Sequence, residues 1–232
     1  MRRSDEKEMM DLPGIPRDLL VEDLRNLRRI NRYLGGYRGI MKGLRGVVAR
    51  KKMRRFTLLD VGTGSGDIPK QIVQWARRKG VQARIVAVEQ DPVTAREAVI
   101  QTQMFPEIRI VQGNGLAPPF KPASFDFVLS SQLLHHFSED KIVFLLRSWS
   151  RLARQSILVS DLVRDPLAYW GIRIVTKLFT RNEMTRFDAP LSVRKALTLK
   201  EWRKLFGEAA VGPFRVSPIF PYRQLTIISL PR

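Results

Sequence analysis

A strand that runs into a glycine-rich turn constrains this chain more than any other feature of its sequence. Residues 58–61 read as a short apolar strand, and Gly-Thr-Gly-Ser-Gly follows at residues 62–66. Glycine at alternate positions permits positive φ angles and leaves room for a ligand to approach the main chain. The spacing G-x-G-x-G differs from the G-x-G-x-x-G of nucleotide dehydrogenases, and the Gly-Lys-Ser/Thr of a P-loop is absent. The turn predicts a ligand site at a strand end in an α/β fold.

Strands and helices are predicted to alternate after the turn. Residues 68–79 have helical spacing, and residues 84–89 form an apolar run that ends at Glu89. Glu89 follows Gly66 by 89 − 66 = 23 residues, which is the length of one turn, helix and strand. A carboxylate there can accept hydrogen bonds from both hydroxyls of a ribose, so Glu89 is predicted to bind an adenosine-containing ligand. A further helix is predicted to start at Asp91-Pro92, and further strands at 108–112, 125–130 and 156–161.

Four segments together resemble the class I S-adenosylmethionine (SAM)-dependent methyltransferases. They are LLDVGTGSGDIP, VAVEQDP, VQGNGLAPPF and SFDFVLSSQLLHHF, and they cover roughly residues 57–161. Within that class, the chain is similar to the small-molecule group that modifies quinones and polyketides. The resemblance implies an α/β fold with a Rossmann-like, doubly wound, seven-stranded sheet. Its last two strands, predicted at 214–219 and 225–230, form an antiparallel C-terminal hairpin.

The same resemblance implies which residues bind the cofactor SAM. Asp60, Gly62 and Gly64 hold the methionine portion, and Glu89 binds the ribose. Asn114 stands where these enzymes usually have aspartate, and its side-chain oxygen can still accept a hydrogen bond from the adenine amino group. The complete implied set is Asp60, Gly62, Thr63, Gly64, Gly66, Glu89, Gln90, Asn114, Gly115, Leu116, Ser130 and Gln132.

The two flanks of this region are predicted to cover the substrate side of the SAM pocket. Residues 1–55 form an N-terminal helical lid segment, with an amphipathic helix at 19–34, and residues 56–232 form the methyltransferase domain. An insertion at 162–197 acts as a substrate cap, with an apolar helix at 167–179 and a polar loop at 180–188. A capping box at Thr198 and Glu201 starts the next helix.

The acceptor is predicted to be a small apolar molecule with an aromatic hydroxyl, such as a phenolic lipid, a polyketide or a quinol. Trp170 and Phe179 would supply the apolar wall, and Arg186 would orient the polar end with Asp188. The base candidates are His135, His136, Asp161 and Asp188, since histidine titrates near neutrality and the histidines follow the fourth strand. A phenol in an apolar pocket could also react with little assistance from a general base.

The net charge of the chain is compatible with several kinds of partner. Lys and Arg total 41 against 22 Asp and Glu, so the formal net charge is +19. This suits an anionic membrane surface, a nucleic acid or a solvated surface in a basic proteome. The charge makes an RNA methyltransferase the first alternative, and a non-catalytic partner subunit with the SAM fold is a second one. With no cysteine and only two histidines, no metal is expected. A cytoplasmic location is the default expectation, and a location peripheral to the membrane is the alternative.

Overall fold

The computed structural model describes residues 1–231 and has a seven-stranded sheet at its centre. The strands are β1 (Arg55–Val61), β2 (Gln82–Glu89), β3 (Ile108–Gln112), β4 (Phe125–Ser131), β5 (Ala153–Leu162), β6 (Phe214–Ile219) and β7 (Arg223–Ser229). Their order is β3-β2-β1-β4-β5-β7-β6. The first five are parallel, and β7 runs antiparallel to both β5 and β6. This confirms the Rossmann-like sheet with an antiparallel C-terminal hairpin.

The strand order places a ligand crevice beside β1. β2 pairs with β1 on one side and β4 pairs with it on the other, so the direction of winding reverses at this point. In open α/β sheets, ligands bind outside the carboxyl ends of the strands where the order reverses. The glycine turn after β1 lies at this edge.

Helices cover both faces of the sheet. They are α1 (Arg17–Tyr33), α2 (Gly36–Arg50), α3 (Asp67–Arg78), α4 (Pro92–Thr102), α5 (Glu139–Leu152), α6 (Pro166–Phe179), α7 (Glu183–Lys195) and α8 (Leu199–Ala209), with short 3-10 helices at Met9–Asp11 and Leu134–His136. Among residues 1–231, no helix is both long enough and apolar enough to cross a membrane.

Alternate residues of the central strands explain the two layers. Leu58 of β1 packs in one core with α2 and α3, through side chains such as Ile40 and Ile72. Leu59 belongs to the other core with α5 and α8, which bury Trp149 and Trp202. Successive side chains of a strand point to opposite faces, so apolar residues at both positions require helices on both sides.

The polar loop predicted at 180–188 is wrong, because α7 begins inside it. The side-chain oxygen of Asn182 accepts a hydrogen bond from the amide of Thr185 at 2.8 Å and so caps the helix. The buried face of α7 mixes polar and apolar residues, including Thr185, Asp188 and Leu191, and therefore lacks an apolar helical period. The insertion at 162–197 consists mainly of two helices, α6 and α7.

The N-terminal flank divides into two parts with different surroundings. α2 buries Ile40, Leu44 and Val47 in the core of the sheet. By contrast, the first 13 residues and α1 contribute side chains such as Met10 and Leu24 to the crevice. The lid predicted in residues 1–55 stays a prediction, and the part of this flank that lines the crevice is the segment before α2.

Candidate active site

The glycine turn bends sharply and leaves open space beside one of its residues. Gly62 has φ +69° and Gly64 has φ +57°, in the region that favours glycine. The amide of Gly62 donates a hydrogen bond to the carbonyl of Val88 at 2.9 Å, which ties the turn to β2. A Cβ on Gly62 would lie 2.9 Å from Leu133 Cδ2, whereas a Cβ on Gly64 would meet nothing within 4 Å. Gly64 thus presents bare backbone to the crevice.

One cavity of about 710 Å³ runs along this edge of the sheet. Its wall joins the glycine turn and the ends of β2 and β4 to the N-terminal segment, α1 and α7. Of the residues predicted from the sequence, the wall contains Gly62, Thr63, Gly64, Glu89, Gln90, Gln132, His135, His136 and Asp188. The cavity therefore connects the predicted SAM site with the predicted acceptor side.

The other predicted SAM residues lie outside this wall. Asp60 and Ser130 are buried at the ends of β1 and β4, and Gly66 caps the start of α3 with φ +74°. Asn114, Gly115 and Leu116 follow β3, and Asn114 is exposed. The side-chain oxygen of Asn114 already accepts a hydrogen bond from the amide of Leu116 at 2.9 Å. Its predicted bond to adenine would have to use the second lone pair of that oxygen.

Glu89 holds the turn in place and still has capacity to bind a ribose. Its Oε2 accepts a hydrogen bond from the amide of Gly64 at 2.9 Å, and its Oε1 accepts from the amides of Gln90 and Asp91 at 2.8 and 3.2 Å. Burial raises the pKa of Glu89, although these amides act in the opposite direction. A carboxylate offers about four lone-pair positions, so it can accept further hydrogen bonds from a ligand that enters the cavity.

Several buried polar atoms near the turn have no hydrogen-bond partner within residues 1–231. They are Asp60 Oδ2, Thr63 Oγ1, Ser130 Oγ and Ser131 Oγ, all at or just beyond the ends of β1 and β4. Burial raises the pKa of Asp60 to about 7. Unpaired buried polar groups are costly, and a ligand that pairs with them removes that cost. The amino and carboxylate groups of the methionine portion of SAM fit this donor and acceptor set.

The cavity is acidic although the chain as a whole is strongly basic. The carboxylates in its wall are Glu8, Asp11, Asp23, Asp67, Glu89, Asp91 and Asp188. Arg28 and the two histidines are the cationic or titratable bases among the wall residues. Carboxylates outnumber the cationic groups in this wall, and a cavity with an excess of one sign of charge concentrates ligands of the opposite sign. The positive sulfur of SAM matches this field, whereas the phosphates of RNA do not.

His135 lies between two carboxylates, Asp161 at Nδ1 and Glu8 at Nε2. Its Nδ1 lies 2.7 Å from Asp161 Oδ1, and both side chains are buried. Its Nε2 faces Glu8 Oε1 at 3.7 Å and has no hydrogen-bond partner within the described residues. Burial lowers the pKa of His135, but the carboxylates of Asp161 and Glu8 outweigh it and raise the pKa to about 9. This arrangement favours a proton on His135 until a ligand replaces Glu8.

Lys195 and His136 complete the charged cluster around Glu8. Lys195 Nζ lies 3.4 Å from Glu8 Oε1 and 3.4 Å from His136 Nδ1. Glu8, His135 and His136 bring ligand atoms within 4.8 Å of one another, which is close enough for a metal ion. The ammonium of Lys195 already balances this carboxylate, so a cation would have to displace it. The absence of a metal stays a prediction.

Asp188 supports the N-terminal segment. Its Oδ1 and Oδ2 accept hydrogen bonds from the amides of Met9 and Met10 at 2.7 and 3.0 Å. Burial raises the pKa of Asp188 to about 6, although these two amides oppose the shift. With both oxygens engaged in this way, Asp188 is better suited to position Glu8 than to take a proton from an acceptor.

The structure contradicts the acceptor wall predicted in the insertion. Trp170 and Phe179 are 56% and 78% exposed and do not line the cavity, because the bulky apolar side chains of α6 point away from the cavity. Arg186 donates to the carbonyls of Thr180 and Lys177 at the end of α6. The apolar wall instead comes mainly from α1 and the N-terminal segment, with side chains such as Leu24.

Glu8, Asp23 and Lys195 are site residues that the sequence interpretation missed. Glu8 precedes His135 by 127 residues (135 − 8), so no local spacing connects them. One signal was present, because Asp5, Glu6, Glu8 and Asp11 form an acidic run at the start of a basic chain. Asp23 lies on the apolar face of the amphipathic helix, three residues after Leu20 and four before Leu27, where a carboxylate is not expected from the helical period. It is 1% exposed and accepts a hydrogen bond from Thr185 Oγ1 at 2.6 Å.

Comparison with known proteins supports methyl transfer as the chemistry of this cavity. A family model described as a methyltransferase domain matches residues 59–159, which extend from β1 to β5. Magnesium protoporphyrin IX methyltransferase from Synechocystis PCC 6803, solved with bound SAH, has a TM-score of 0.60 at 15% identity. That match covers 90% of this chain and 86% of the other. The matched methyltransferase domain makes SAM the cofactor, and the buried unpaired atoms beside the glycine turn fit it.

Two further solved structures share the fold and are longer than this chain. The CMeT domain of a citrinin polyketide synthase matches with a TM-score of 0.57 and 14% identity over 76% of this chain. An O-methyltransferase family 2 protein from Planctomyces limnophilus, in complex with apigenin, matches with a TM-score of 0.54 and 19% identity over 75% of this chain. This chain spans 46% and 49% of their respective lengths. The comparison with curated proteins finds no match.

Replacing Asp60 should separate stability from cofactor binding. Because burial raises the pKa of Asp60 from 3.8 to about 7, the folded state retains a proton that the unfolded state releases, and stability falls as the pH rises through this window. We expect Asp60→Asn to raise the free energy of unfolding near pH 8 by up to ~4 kcal/mol, with a smaller gain near pH 5. Denaturant unfolding at both pH values measures this gain, and calorimetry should show weaker SAM binding. An unchanged unfolding curve at both pH values would contradict the assigned ionisation.

Proposed function

We propose that the protein transfers a methyl group from SAM to the hydroxyl of a small, apolar, aromatic acceptor. A phenolic lipid, a polyketide or a quinol is the class of acceptor meant. The observation that carries the proposal is the position of His135, whose Nε2 faces Glu8 Oε1 at 3.7 Å, in the wall of the cavity that also contains Gly64 and Glu89. A cofactor bound at the turn and an acceptor beside His135 would therefore share one enclosed space.

His135 is the proposed base, and Asp161 is its positioning partner. When bound, SAM supplies a methyl group on a positively charged sulfur. Neutral His135 takes the proton of the acceptor hydroxyl at Nε2 as the oxygen becomes methylated. Asp161 fixes the ring through Nδ1 and stabilises the imidazolium that forms. For this step the acceptor hydroxyl has to replace Glu8 at Nε2, since the two would occupy the same position.

The composition of the wall supports a neutral, largely apolar acceptor. Its apolar members are Met10, Leu12, Pro13, Leu20, Leu24, Leu27, Ile68, Pro92, Leu133, Phe137, Leu162 and Ala189. An aromatic ring fits between such side chains, and carboxylates around it disfavour an anionic group. The Planctomyces protein, a structural neighbour, was solved in complex with apigenin, an aromatic ligand of this general kind. An RNA acceptor has less support, because its phosphates would approach this acidic opening.

Gln132 supports the placement of the reacting groups at the end of β4. It has φ +52°, an unusual backbone angle for a residue other than glycine. Its side-chain amide donates a hydrogen bond to Asn31 Oδ1 of α1 at 2.8 Å. Strained residues of this kind occur often at functional sites, where surrounding contacts hold them. The strain and the contact with α1 fit a position between cofactor and acceptor.

The distribution of radioactive label tests the proposed function. Purified protein and methyl-labelled SAM are incubated with cell extract, and organic-soluble, RNA and protein fractions are counted separately. We expect label in the organic-soluble fraction, and its loss when the His135→Asn variant is used. Label in RNA would replace the proposal with the nucleic-acid alternative. Binding of SAM without label in any fraction would favour a non-catalytic partner subunit.

The segment before α2 and the α6–α7 insertion should act as a lid. Arg3 donates hydrogen bonds to the carbonyls of Phe137 and Lys195 at 2.7 and 2.8 Å, which fastens the N-terminal segment across the cavity. An acceptor can reach His135 only when this segment moves, and such lids exclude water when they close. We expect trypsin to cleave at exposed Arg17 and Arg181, and more slowly with SAM and a phenolic acceptor present. Equal cleavage with and without ligands would contradict a lid.

A further inference from the structure

α6 carries large apolar side chains on its outer surface. Leu167 is 69% exposed, Leu178 71% and Phe179 78%, and Trp170 and Ile174 are also exposed. Its buried residues are the small side chains Ala168 and Thr176. The helix therefore presents its bulkiest apolar side chains to solvent, which is the reverse of the usual arrangement for a surface helix.

These side chains form a continuous stripe, defined here as Leu167, Trp170, Ile174 and Leu178. Their spacing of three, four and four residues keeps them on one face of the helix. Isolated exposed apolar residues are normal, but a contiguous apolar stripe marks a surface that contacts another molecule or a membrane. Phe179 extends the stripe at the end of the helix.

Basic residues accompany the stripe. Arg173 and Lys177 are exposed on α6, Arg181 is exposed just after it, and residues 166–179 include no Asp or Glu. The guanidinium carbon of Arg173 lies 5.2 Å from the centroid of the Trp170 ring, so charge and aromatic surface are adjacent. Lysine and arginine beside tryptophan and leucine are typical of helices that lie in a membrane interface.

We propose that α6 docks on an anionic lipid surface, with the stripe in the headgroup and acyl boundary and the basic residues at the lipid phosphates. Charge complementarity selects this partner. A second copy of the chain would bring Arg173, Lys177 and Arg181 against their own counterparts, in a protein of net charge +19. A nucleic acid would match the cations but would leave Leu167, Ile174 and Leu178 against its phosphates and in water.

Docking through α6 would place the cavity close to the membrane. α6 packs against α7, and α7 contributes Asp188, Ala189 and Ser192 to the cavity wall. An apolar acceptor partitions into the bilayer, so a cavity at the membrane surface would meet it at high local concentration. This consequence rests on the proposed function, but the docking itself does not, because vesicle binding requires neither SAM nor an acceptor.

Vesicle flotation tests the docking with the full chain. The vesicles contain phosphatidylglycerol and phosphatidylcholine in equal parts, or phosphatidylcholine alone. We expect the protein to float with the anionic vesicles and to be released as salt is raised. Replacing Trp170, Ile174 and Leu178 with serine should lower binding more than about tenfold. Arg173→Gln and Lys177→Gln should each lower it about fivefold. The matched control is Phe144→Ser, since Phe144 is 51% exposed on α5 and should not affect binding.

The outcomes of this test are distinct. Docking through α6 is supported if the serine and glutamine variants both bind anionic vesicles more weakly than the parent protein while their circular dichroism is unchanged. Three results would overturn it: equal binding of the parent protein to both vesicle types, no binding to either, or a Phe144→Ser control that loses as much vesicle binding as the α6 variants. Light scattering that shows a dimer of the parent protein and a monomer of the serine variant would assign the stripe to a second copy instead.

Discussion

Glu89→Ala should weaken SAM binding by roughly 2–4 kcal/mol, or about 30- to 1000-fold in the dissociation constant. The variant loses the carboxylate predicted to accept hydrogen bonds from both ribose hydroxyls. It also loses the contact between Glu89 and the amide of Gly64, measured at 2.9 Å, so the glycine turn becomes less ordered. Isothermal titration calorimetry with SAM measures the loss directly.

Glu107→Ala is the matched control for that experiment. Glu107 precedes β3 at the opposite end of the strands, pairs with Arg77 at 2.7 Å and does not line the SAM cavity. Its replacement should leave the affinity for SAM unchanged. If Glu89→Ala folds normally and binds SAM as tightly as the Glu107→Ala control, the ribose assignment is wrong.

His135→Asn should lower kcat by about 10²- to 10⁴-fold, the range for loss of a general base. Asparagine can still donate a hydrogen bond to Asp161, so the buried carboxylate keeps a partner. Affinity for SAM should remain within about threefold of the parent protein, because His135 faces the acceptor side of the cavity. His136→Asn is the control, since His136 is partly exposed and lies 3.0 Å from Asp11. Equal losses in both variants would contradict a specific role of His135 as base.

The pH dependence of kcat/KM should show the same base. The neutral form of His135 increases as the pH rises through its pKa of about 9, so kcat/KM should rise with pH up to that value. Glu8→Gln removes one of the two carboxylates that raise this pKa, and the rising limb should move to lower pH. If the rising limb of the kcat/KM profile lies at the same pH in Glu8→Gln as in the parent protein, a group other than His135 titrates there.

The sequence predicted the strands of the sheet well, because the signals for a strand or a helix cap come from residues that are close together in the sequence. Residues 108–112 and 214–219 became strands with the predicted bounds, and Thr198 and Glu201 form the predicted capping box. Each of these patterns depends on the periodicity or hydrogen bonding of a few neighbouring residues. The other predicted strands lengthened by one to four residues, since pairing with neighbours extends a strand beyond its apolar centre.

The acceptor side was predicted less well, because long-range contacts form it. The sequence interpretation placed the apolar wall in α6 on the strength of Trp170 and Phe179. An exposed stripe and a buried stripe of a helix have the same apolar spacing, and only the packing of α7 beneath α6 distinguishes them. Glu8 approaches His135, and Lys195 approaches His136, through the fold alone, at sequence separations of 127 and 59 residues (135 − 8 and 195 − 136).

A crystal structure with S-adenosylhomocysteine would test most directly the claim that cofactor and acceptor share one cavity. We expect the ribose hydroxyls within about 3 Å of the Glu89 carboxylate, as a hydrogen bond requires. The sulfur should face the side of the cavity that contains Gln132 and His135. A ligand bound elsewhere, or one at the glycine turn with its sulfur directed away from His135, would contradict the account.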